Sequence, residues 1–273
     1  MKKRIKASII FACVLSVHMN TFAQDEPKPA PADAAELAKK LSNPVASLIS
    51  VPFQNNTDIG IGTYNGSKNT LNIQPVIPIS LSEKWNVIAR VILPVVSQYN
   101  VSGEGRQESG LGSTTASAFF SPTPSKSGII FGAGPAFLIP TTTNDFLGSK
   151  KFGVGPTALV LKQSHGITIG ALANQIWSVA GDESSPAVNQ LFLQPFFTYN
   201  WKSGAGLGGN AEITQNWQAG NTTAFINPTL SGVTKLGTQV VSLAVGPRIP
   251  VAAPEGSKSA FGIRAVLIFV FPK

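Results

Sequence analysis

The sequence predicts an all-β fold, namely a transmembrane antiparallel up-and-down β-barrel of about 12 strands with a short N-terminal helix. Two observations lead to this fold class. From about Val45 onward, apolar residues recur at every second position, as in strands with two chemically different faces. The segments between these strands also alternate between long and short along the chain, as when the two ends of a barrel lie on opposite sides of a bilayer.

Composition restricts the class of protein. The chain has 273 residues, of which 43% are hydrophobic and only 12% charged, about half the usual charged fraction of a soluble domain. No apolar run after the first 25 residues is long enough for a spanning helix, which excludes a helical membrane bundle. The formal net charge is +8, but Lys2, Lys3, Arg4 and Lys6 supply half of it and the other cations are scattered. We therefore expect no nucleic-acid partner.

Residues 1–23 have the pattern of a secretory signal peptide. Lys2–Lys6 is cationic, Ala7–Val17 is apolar but about half as long as a spanning helix, and Thr21–Ala23 resembles a cleavage site. A retained anchor or a lipoprotein modified at Cys13 is a weaker interpretation, because the apolar run is so short. We expect export to the cell outer membrane, where outer-membrane lipid and the barrel-assembly machinery are the partners.

Residues 24–44 predict a flexible arm and a short helix. Gln24–Asp33 is charged and rich in proline, whereas Asp33 can cap a helix over Ala34–Leu41 that Asn43-Pro44 ends. This helix lies either at the mouth of the following structure or inside it, or it is a solvated leader. The sequence leaves these alternatives open.

Residues 45–273 are assigned to the barrel. The alternation is clearest in Leu71–Leu81 and Leu207–Trp217. The other predicted strands are Ala46–Phe53, Trp85–Tyr99, Leu111–Phe120, Ile129–Ile139, Phe152–Leu161, Ile167–Val179, Gln190–Trp201, Thr223–Val233, Gln239–Ile249 and Phe261–Phe271. The long connections are predicted at Gln54–Asn69, Asn100–Gly110, Pro140–Lys151, Ala180–Ala187, Gln218–Asn221 and Val251–Ser259.

Aromatic residues support a lipid-facing exterior. Six of them fall at strand ends and share the parity of the apolar face, as in the aromatic girdles of membrane barrels: Trp85, Tyr99, Trp177, Tyr199, Trp201 and Trp217. The alternative is that they pack over the core of a soluble protein, which requires both position and parity to agree by chance.

The same parity turns polar side chains inward. The lumen-lining candidates are Arg90, Gln194, Glu212, Arg248 and Arg264. Three arginines against one glutamate predict a mildly positive lumen that favours anions, or else Arg–Glu pairs that hold the lumen shut. The remaining inward positions of the strands that carry Arg90 and Arg264 are largely apolar, which favours a narrow passage over a wide aqueous pore.

Prolines lie within the predicted strands, among them Pro75, Pro78, Pro94, Pro135, Pro156, Pro195, Pro228 and Pro247. Proline cannot donate to a sheet ladder and a closed barrel has no edge strand, so we expect bulges or kinks at these positions, or strand ends. One hypothesis is that some of them interrupt the wall and open a side passage for apolar molecules.

Catalytic, metal and cofactor sites are not expected. His165 stands alone on a predicted turn, a poor place for a Ser–His–acid triad, and the chain has no cluster of zinc ligands. The glycine-rich segments Gly132–Gly134 and Gly204–Gly209 lack the Lys-Ser/Thr of a phosphate-binding loop. We therefore expect no enzyme activity.

Several segments resemble a family of bacterial outer-membrane proteins grouped with the meta-cleavage phenol-degradation barrels, which are described as transporters. They are Ala35–Leu41, Asn43–Asn56, Leu71–Pro78, Gly134–Ser149, Gly153–Lys162, Ala171–Gly181 and Leu193–Phe196. The resemblance implies a porin-like barrel that moves small, often hydrophobic solutes, and it carries no site residues. We expect an outer-membrane channel or transporter. The alternative is a closed structural or surface-interaction barrel without transport activity.

Overall fold

The computed structural model describes residues 31–44, 46, 48–123 and 127–271. The predicted signal peptide and most of the predicted arm lie outside these residues. The elements are α1 (Pro31–Leu41), β1 (Ile49–Ile61), β2 (Gly66–Ile73), β3 (Val76–Ser80), β4 (Trp85–Tyr99), β5 (Gln107–Leu111), β6 (Thr114–Pro122), β7 (Ile129–Ile139), β8 (Lys151–Ser164), β9 (Ile167–Gly181), β10 (Asn189–Asn200), β11 (Ala205–Asn216), β12 (Asn221–Leu236), β13 (Gln239–Ala252) and β14 (Phe261–Phe271).

The strands form one closed antiparallel barrel. Consecutive strands pair with each other, and β1 pairs with β14 from Ile49 opposite Phe271 to Ile59 opposite Phe261. β2 and β3 form one strand interrupted at residues 74–75, and β5 and β6 one strand interrupted at residues 112–113, so the barrel has 12 strands. The pairing of β1 with β14 closes the sheet on itself, and the predicted fold class is confirmed.

The first hairpin corrects the sequence prediction. Gln54–Asn69 was predicted to be a long loop, but β1 and β2 occupy nearly all of it and the turn spans only residues 62–65. Alternation of apolar and polar residues is absent here because both faces of the hairpin are polar. On one face Asn55 and Asn69 hydrogen-bond each other across the strands at 3.0 Å, and on the other Asp58 points into the barrel.

The connections separate the two ends of the barrel. One end, the short-turn end, carries residues 81–84, 123, 127–128, 165–166, 201–204 and 237–238. The opposite end, the long-loop end, carries residues 62–65, 100–106, 140–150, 182–188, 217–220 and 253–260. The longest connections lie together as predicted, although 62–65 and 217–220 are only as long as 81–84 and 201–204 at the other end.

Of the prolines expected at bulges, kinks or strand ends, Pro75 lies at a strand interruption, whereas the register shifts of the described ladders fall at Ile59/Ile61, Phe152/Gly153 and Ala224/Phe225. Pro75 lies in the interruption between β2 and β3, yet the wall stays bonded there because the Gln74 N–H donates to a carbonyl of β1 at 2.8 Å. Beside Pro156, the strand β9 approaches Gly155 so closely that a Cβ at this glycine would collide with the Gln175 carbonyl oxygen. Glycine is therefore required at this contact between strands.

The exterior of the barrel is apolar and ringed by aromatics. The six predicted girdle residues are all between 38% and 53% exposed. Trp85, Tyr199 and Trp201 lie near the short-turn end, and Tyr99, Trp177 and Trp217 lie towards the long-loop end. This arrangement places amphipathic rings at two levels with apolar side chains between them, as lipid contact requires. Within the described residues, no helix has the length and apolarity needed to cross a bilayer.

Half of the interior is filled by an apolar core. We call this region the packed half; its fully buried members are Val76, Ile88, Phe119, Ile130, Leu159, Leu161 and Leu172, from β3, β4 and β6–β9. Phe192 and Phe196 of β10 pack against it. The predicted apolar inward face of β4 is thus part of a core, and the open volume lies beside β1, β2 and β10–β14.

The helix α1 begins earlier than predicted. It starts at Pro31 rather than at Ala34, so the end of the predicted arm is helical. Proline suits the first turn of a helix because the N–H that it lacks has no partner within the helix there. Ala34 and Ala38 are buried, which contradicts a solvated leader and places α1 within the short-turn end.

Candidate functional site in the barrel lumen

Polar side chains from five adjacent strands form a network across the open part of the lumen. We call this network the polar barrier; its members are Asn56 and Asp58 of β1, Asn210 and Glu212 of β11, Asn227 of β12, Arg248 of β13 and Arg264 of β14. The network joins β1 to β11–β14, so it forms only when β1 pairs with β14 and the barrel is closed.

Glu212 is the centre of the polar barrier. Its Oε2 accepts hydrogen bonds from Arg248 Nη1 and from Arg264 Nη2, each at 2.8 Å. Arg248 Nε lies 3.2 Å from Oδ1 of Asp58, and Arg264 Nε donates to Oδ1 of Asn56 at 2.8 Å. Two arginines are thus balanced by two carboxylates, which offsets much of the cost of removing all four charges from water.

Further contacts fix the two arginines in place. The Arg248 guanidinium lies 3.5 Å from the centre of the Phe225 ring, a cation–π contact, and its Nη1 also donates to Oδ1 of Asn227 at 3.1 Å. The side chain of Arg264 is only 2% exposed. Arg264 also donates to Asn210, so little of either guanidinium is available to a solute.

The polar barrier separates two chambers. The outer chamber, towards the long-loop end, has a volume of about 420 Å³ and is lined by Asp58, Lys68, Glu212 and Arg248 among others. The inner chamber, towards the short-turn end, has a volume of about 250 Å³. Its polar lining includes Gln54, Gln74, Arg90, Gln194, Thr198, Asn200 and Arg264. A solute that crosses the barrel must therefore pass two small compartments and displace or slip past the barrier.

Each chamber also holds a cation without a carboxylate partner. In the part of the chain that the structure describes, Lys68 makes no hydrogen bond or ion pair, although it lies opposite Asp58 in the β-ladder. Arg90 donates from Nη2 to Oε1 of Gln74 at 3.0 Å and forms no ion pair with a described residue. Because Arg248 and Arg264 are already balanced, Lys68 and Arg90 leave the lumen positive.

The helix α1 and the residues after it form the floor of the inner chamber. Ala38, Leu41, Ser42 and Pro44 line this chamber. The segment is held from the barrel wall, because Asn200 Nδ2 donates to Oγ of Ser42 at 2.9 Å, and the side-chain amide of Gln163 donates to a backbone carbonyl of the helix at 2.7 Å. Burial of Ala34 and Ala38 adds apolar packing to these two hydrogen bonds.

All five lumen-lining candidates point inward, but they occupy different places. Arg248, Glu212 and Arg264 meet in the polar barrier. Gln194 lies beside it, with Nε2 3.5 Å from Oε1 of Glu212, and Arg90 lines the inner chamber.

The sequence analysis missed Asn56, Asp58 and Lys68, because they fell in the predicted loop Gln54–Asn69. Asp58 supplies the second carboxylate of the barrier. The signal that could have found these residues is their parity: Asn56 and Asp58 continue the inward positions of β1 that begin with Ser50 and Gln54.

The histidine and the acidic residues form no recognisable catalytic or metal centre within the described residues. His165 lies in the two-residue turn between β8 and β9, where it and Gly166 have positive φ angles of 49° and 81°. Its Nδ1 lies 2.7 Å from Oγ of Ser164, and no contact to a carboxylate completes a triad in the described part of the chain. No group of three or more His, Cys, Asp or Glu side chains there could hold a metal ion.

Comparison with known proteins gives similarity in structure alone. No protein-family model and no curated protein matches the sequence. An outer-membrane channel from Pseudomonas putida F1 is similar over 84% of this chain and 97% of that one, with 18% identity and a TM-score of 0.65.

Two further solved structures are more distant. They are the β domain of the Bordetella autotransporter BrkA (9% identity, 82% of this chain and 100% of that one, TM-score 0.44) and a Pseudomonas aeruginosa FadL homologue (9% identity, 88% and 91%, TM-score 0.38). The similarity to the Pseudomonas putida protein shows that the chain has the fold of an outer-membrane β-barrel.

Proposed function

We propose that the chain is an outer-membrane channel for small solutes, including hydrophobic ones. The observation that carries the proposal is the arrangement of two chambers on either side of the polar barrier, within a closed barrel whose exterior is apolar. A barrel that served only as a scaffold has no need for two cavities in line. The solved structure with the same fold is described as an outer-membrane channel, which supports the proposal.

Location and orientation follow from the exterior. Apolar side chains between two aromatic girdles match the hydrocarbon layer of a bilayer, and a closed barrel satisfies its backbone hydrogen bonds there. We place the short-turn end, with α1, on the periplasmic side and the long-loop end outside. Export by a signal peptide at residues 1–23 and insertion by the barrel-assembly machinery belong to this proposal.

The lumen favours small anionic or neutral solutes over cations. The packed half fills much of the cross-section, so that a wide aqueous pore is excluded by the side chains themselves. Lys68 in the outer chamber and Arg90 in the inner chamber carry positive charge that no described carboxylate pairs with. Charged lumen residues set ion selectivity at short range, because the surrounding wall screens them poorly.

A second candidate function is a closed barrel that transports nothing. The observation in its favour is that the arginines and carboxylates of the polar barrier are paired and that α1 covers the short-turn end. Paired charges in a small barrel can be a permanent filling rather than a gate.

Planar-bilayer recordings distinguish the two functions. The purified chain should give discrete conductance steps. In a salt gradient, the reversal potential should shift towards the equilibrium potential of the anion. Lys68→Glu should shift that potential towards the cation, whereas Lys202→Glu, at an exposed turn of the short-turn end, should shift it far less. Liposome swelling with a graded series of apolar and anionic solutes then ranks the solutes. A heat-modifiable, folded barrel that gives neither steps nor swelling would support the closed barrel.

A further inference from the structure

The guanidinium of Arg90 is available within the inner chamber. A guanidinium carries five N–H donors, and in the described structure Arg90 uses one side-chain contact, from Nη2 to Oε1 of Gln74 at 3.0 Å. Arg264, which borders the same chamber, is by contrast occupied by Asn56, Asn210 and Glu212. Among the described residues Arg90 therefore uses one of its five N–H donors, whereas Arg248 and Arg264 each use three.

The position of Arg90 on β4 keeps its guanidinium in the inner chamber. It lies on β4 opposite Val76 of β3 on one side and Ser117 of β6 on the other, next to the interruption that brings Gln74 into the lumen. Ile88, one inward position away, belongs to the packed half and fixes the neighbouring wall. The guanidinium thus stands at the border between the packed half and the open volume.

Apolar groups form much of the rest of the inner chamber. They are Leu41 at the end of α1, Pro44 after it, Pro52 of β1, Phe196 of β10, and Val266 and Ile268 of β14. The volume of about 250 Å³ is below the usual range for drug-sized ligands but sufficient for a body the size of one ring. A chamber that combines a guanidinium without a carboxylate partner and apolar patches among polar side chains suits a molecule with one anionic group and an apolar body.

We propose that the inner chamber is a binding site for small organic carboxylates with an apolar body, and that Arg90 binds the carboxylate. The proposal rests on the proposed channel function, since it names a class of solute for it. A carboxylate matches the fork of a guanidinium with two parallel hydrogen bonds, which a neutral or cationic group cannot form. The apolar body then displaces water from Phe196 and Ile268.

Binding to the purified full chain in detergent tests this assignment. Benzoate serves as the probe, benzyl alcohol as a neutral molecule of the same shape, and acetate as a carboxylate without the apolar body. Isothermal titration is run on the unchanged chain, on Arg90→Gln and on Arg106→Gln, a matched control on the long-loop end. Heat-modifiable migration on a gel shows that each variant is folded.

The expected result is that benzoate binds at least tenfold more tightly than acetate or benzyl alcohol. Arg90→Gln should weaken benzoate at least tenfold and leave benzyl alcohol unchanged, and Arg106→Gln should change neither. Arg90→Lys keeps the charge but loses the two-pronged geometry, so it should weaken benzoate by a smaller factor and can replace Arg90→Gln if that variant does not fold.

Two outcomes overturn the assignment. Benzoate does not bind the unchanged chain, or it binds the Arg90 variants with unchanged affinity. Neither outcome bears on the proposed channel function, because conductance steps are measured separately with simple salts. If the chain conducts but does not bind benzoate, the proposed function stands and the assignment of this binding site is wrong.

Discussion

Oε2 of Glu212 lies 2.8 Å from Nη2 of Arg264, although two whole strands, β12 and β13, separate the strands that carry them. The same oxygen accepts a second hydrogen bond from Arg248 on β13, also at 2.8 Å. One carboxylate oxygen therefore holds two guanidinium groups that would otherwise repel each other inside the barrel. The stability of the polar barrier depends on this shared atom more than on any other.

Glu212→Gln should destabilise the folded barrel strongly. The glutamine keeps an acceptor but removes the negative charge, so that Arg248 and Arg264 are buried side by side with Asp58 as their remaining carboxylate. Breaking one partner of a buried ion pair costs about 3 kcal/mol or more. Urea unfolding of the barrel in lipid vesicles measures the loss, and Glu255→Gln in the exposed connection 253–260 is the control. A loss below about 0.5 kcal/mol would show that the barrier does not depend on Glu212.

Tethering α1 to the wall should lower conductance. Nδ2 of Asn200 lies 2.9 Å from Oγ of Ser42, so Ser42→Cys combined with Asn200→Cys is the pair to test for a disulfide, and thiol titration shows whether the bond has formed. The oxidised variant should conduct less than the same variant after reduction, because the floor of the inner chamber is then fixed. Each single-cysteine variant is a control, since neither can form the bond. Equal conductance in the oxidised and reduced states means that α1 does not gate the passage.

Replacing the prolines beside the β2–β3 interruption should slow the uptake of an apolar solute. Within the described residues, β3 from Ile77 to Ser80 is bonded to β4 alone, and β1 meets β3 only at Val76. Pro75→Val with Pro78→Val supplies two N–H groups that can extend the ladder and close this side of the wall. Uptake of phenylnaphthylamine by cells should fall at least threefold, with Pro140→Val in a connection as the control. Unchanged uptake would remove the hypothesis of a side passage.

The connection between β9 and β10 should loosen in acid. Oδ1 of Asp182 accepts hydrogen bonds from the hydroxyl and the backbone N–H of Ser184, at 2.7 and 2.9 Å, and these bonds hold the pKa of Asp182 below its ordinary value. Because the folded-state pKa is lowered, the stabilisation is present at neutral pH and is lost as the pH falls below about 4.

Hydrogen exchange of the Ser184 and Ser185 amides, corrected for the intrinsic rate, should therefore keep its protection down to about pH 4 and lose it as the pH is lowered further towards about 2. Asp182→Asn should remove this pH dependence, and Glu183→Gln on the adjacent exposed residue should keep it. If protection in the unchanged chain is independent of pH, the Asp182 carboxylate does not order this connection.

The strands of this barrel were predictable because lipid imposes a simple rule on them. Where one face meets hydrocarbon, apolar residues repeat at every second position, as in Leu207–Trp217, and this pattern placed β11 nearly correctly. The rule failed at Asn55–Asp58, where neighbouring residues on opposite faces are all polar and hydrogen bonds such as that between Asn55 and Asn69 satisfy the outer ones. No period in hydrophobicity exists there to detect.

The polar barrier was beyond the reach of sequence patterns for a different reason. Parity predicted that Glu212, Arg248 and Arg264 point inward. Their pairing, however, depends on the register of strands that are distant in the chain: Arg264 hydrogen-bonds Asn56 at a sequence separation of 208. Which chamber contains Arg90 depends on the same geometry. Which face of α1 turns into the barrel also depends on tertiary packing, because a short helix is stabilised mainly by the elements against which it packs.

The packed half has a mechanical consequence. Phe119, Leu161 and Leu172, from strands on one side of the barrel, are buried in a common apolar cluster that fills this side of the lumen. The open lumen therefore lies to one side of the barrel axis. The wall along the packed half is stiff, and changes in the width of the lumen come from the opposite wall and from α1. Substitutions intended to change the width of the lumen therefore belong in β11–β14, with β6–β9 left unchanged.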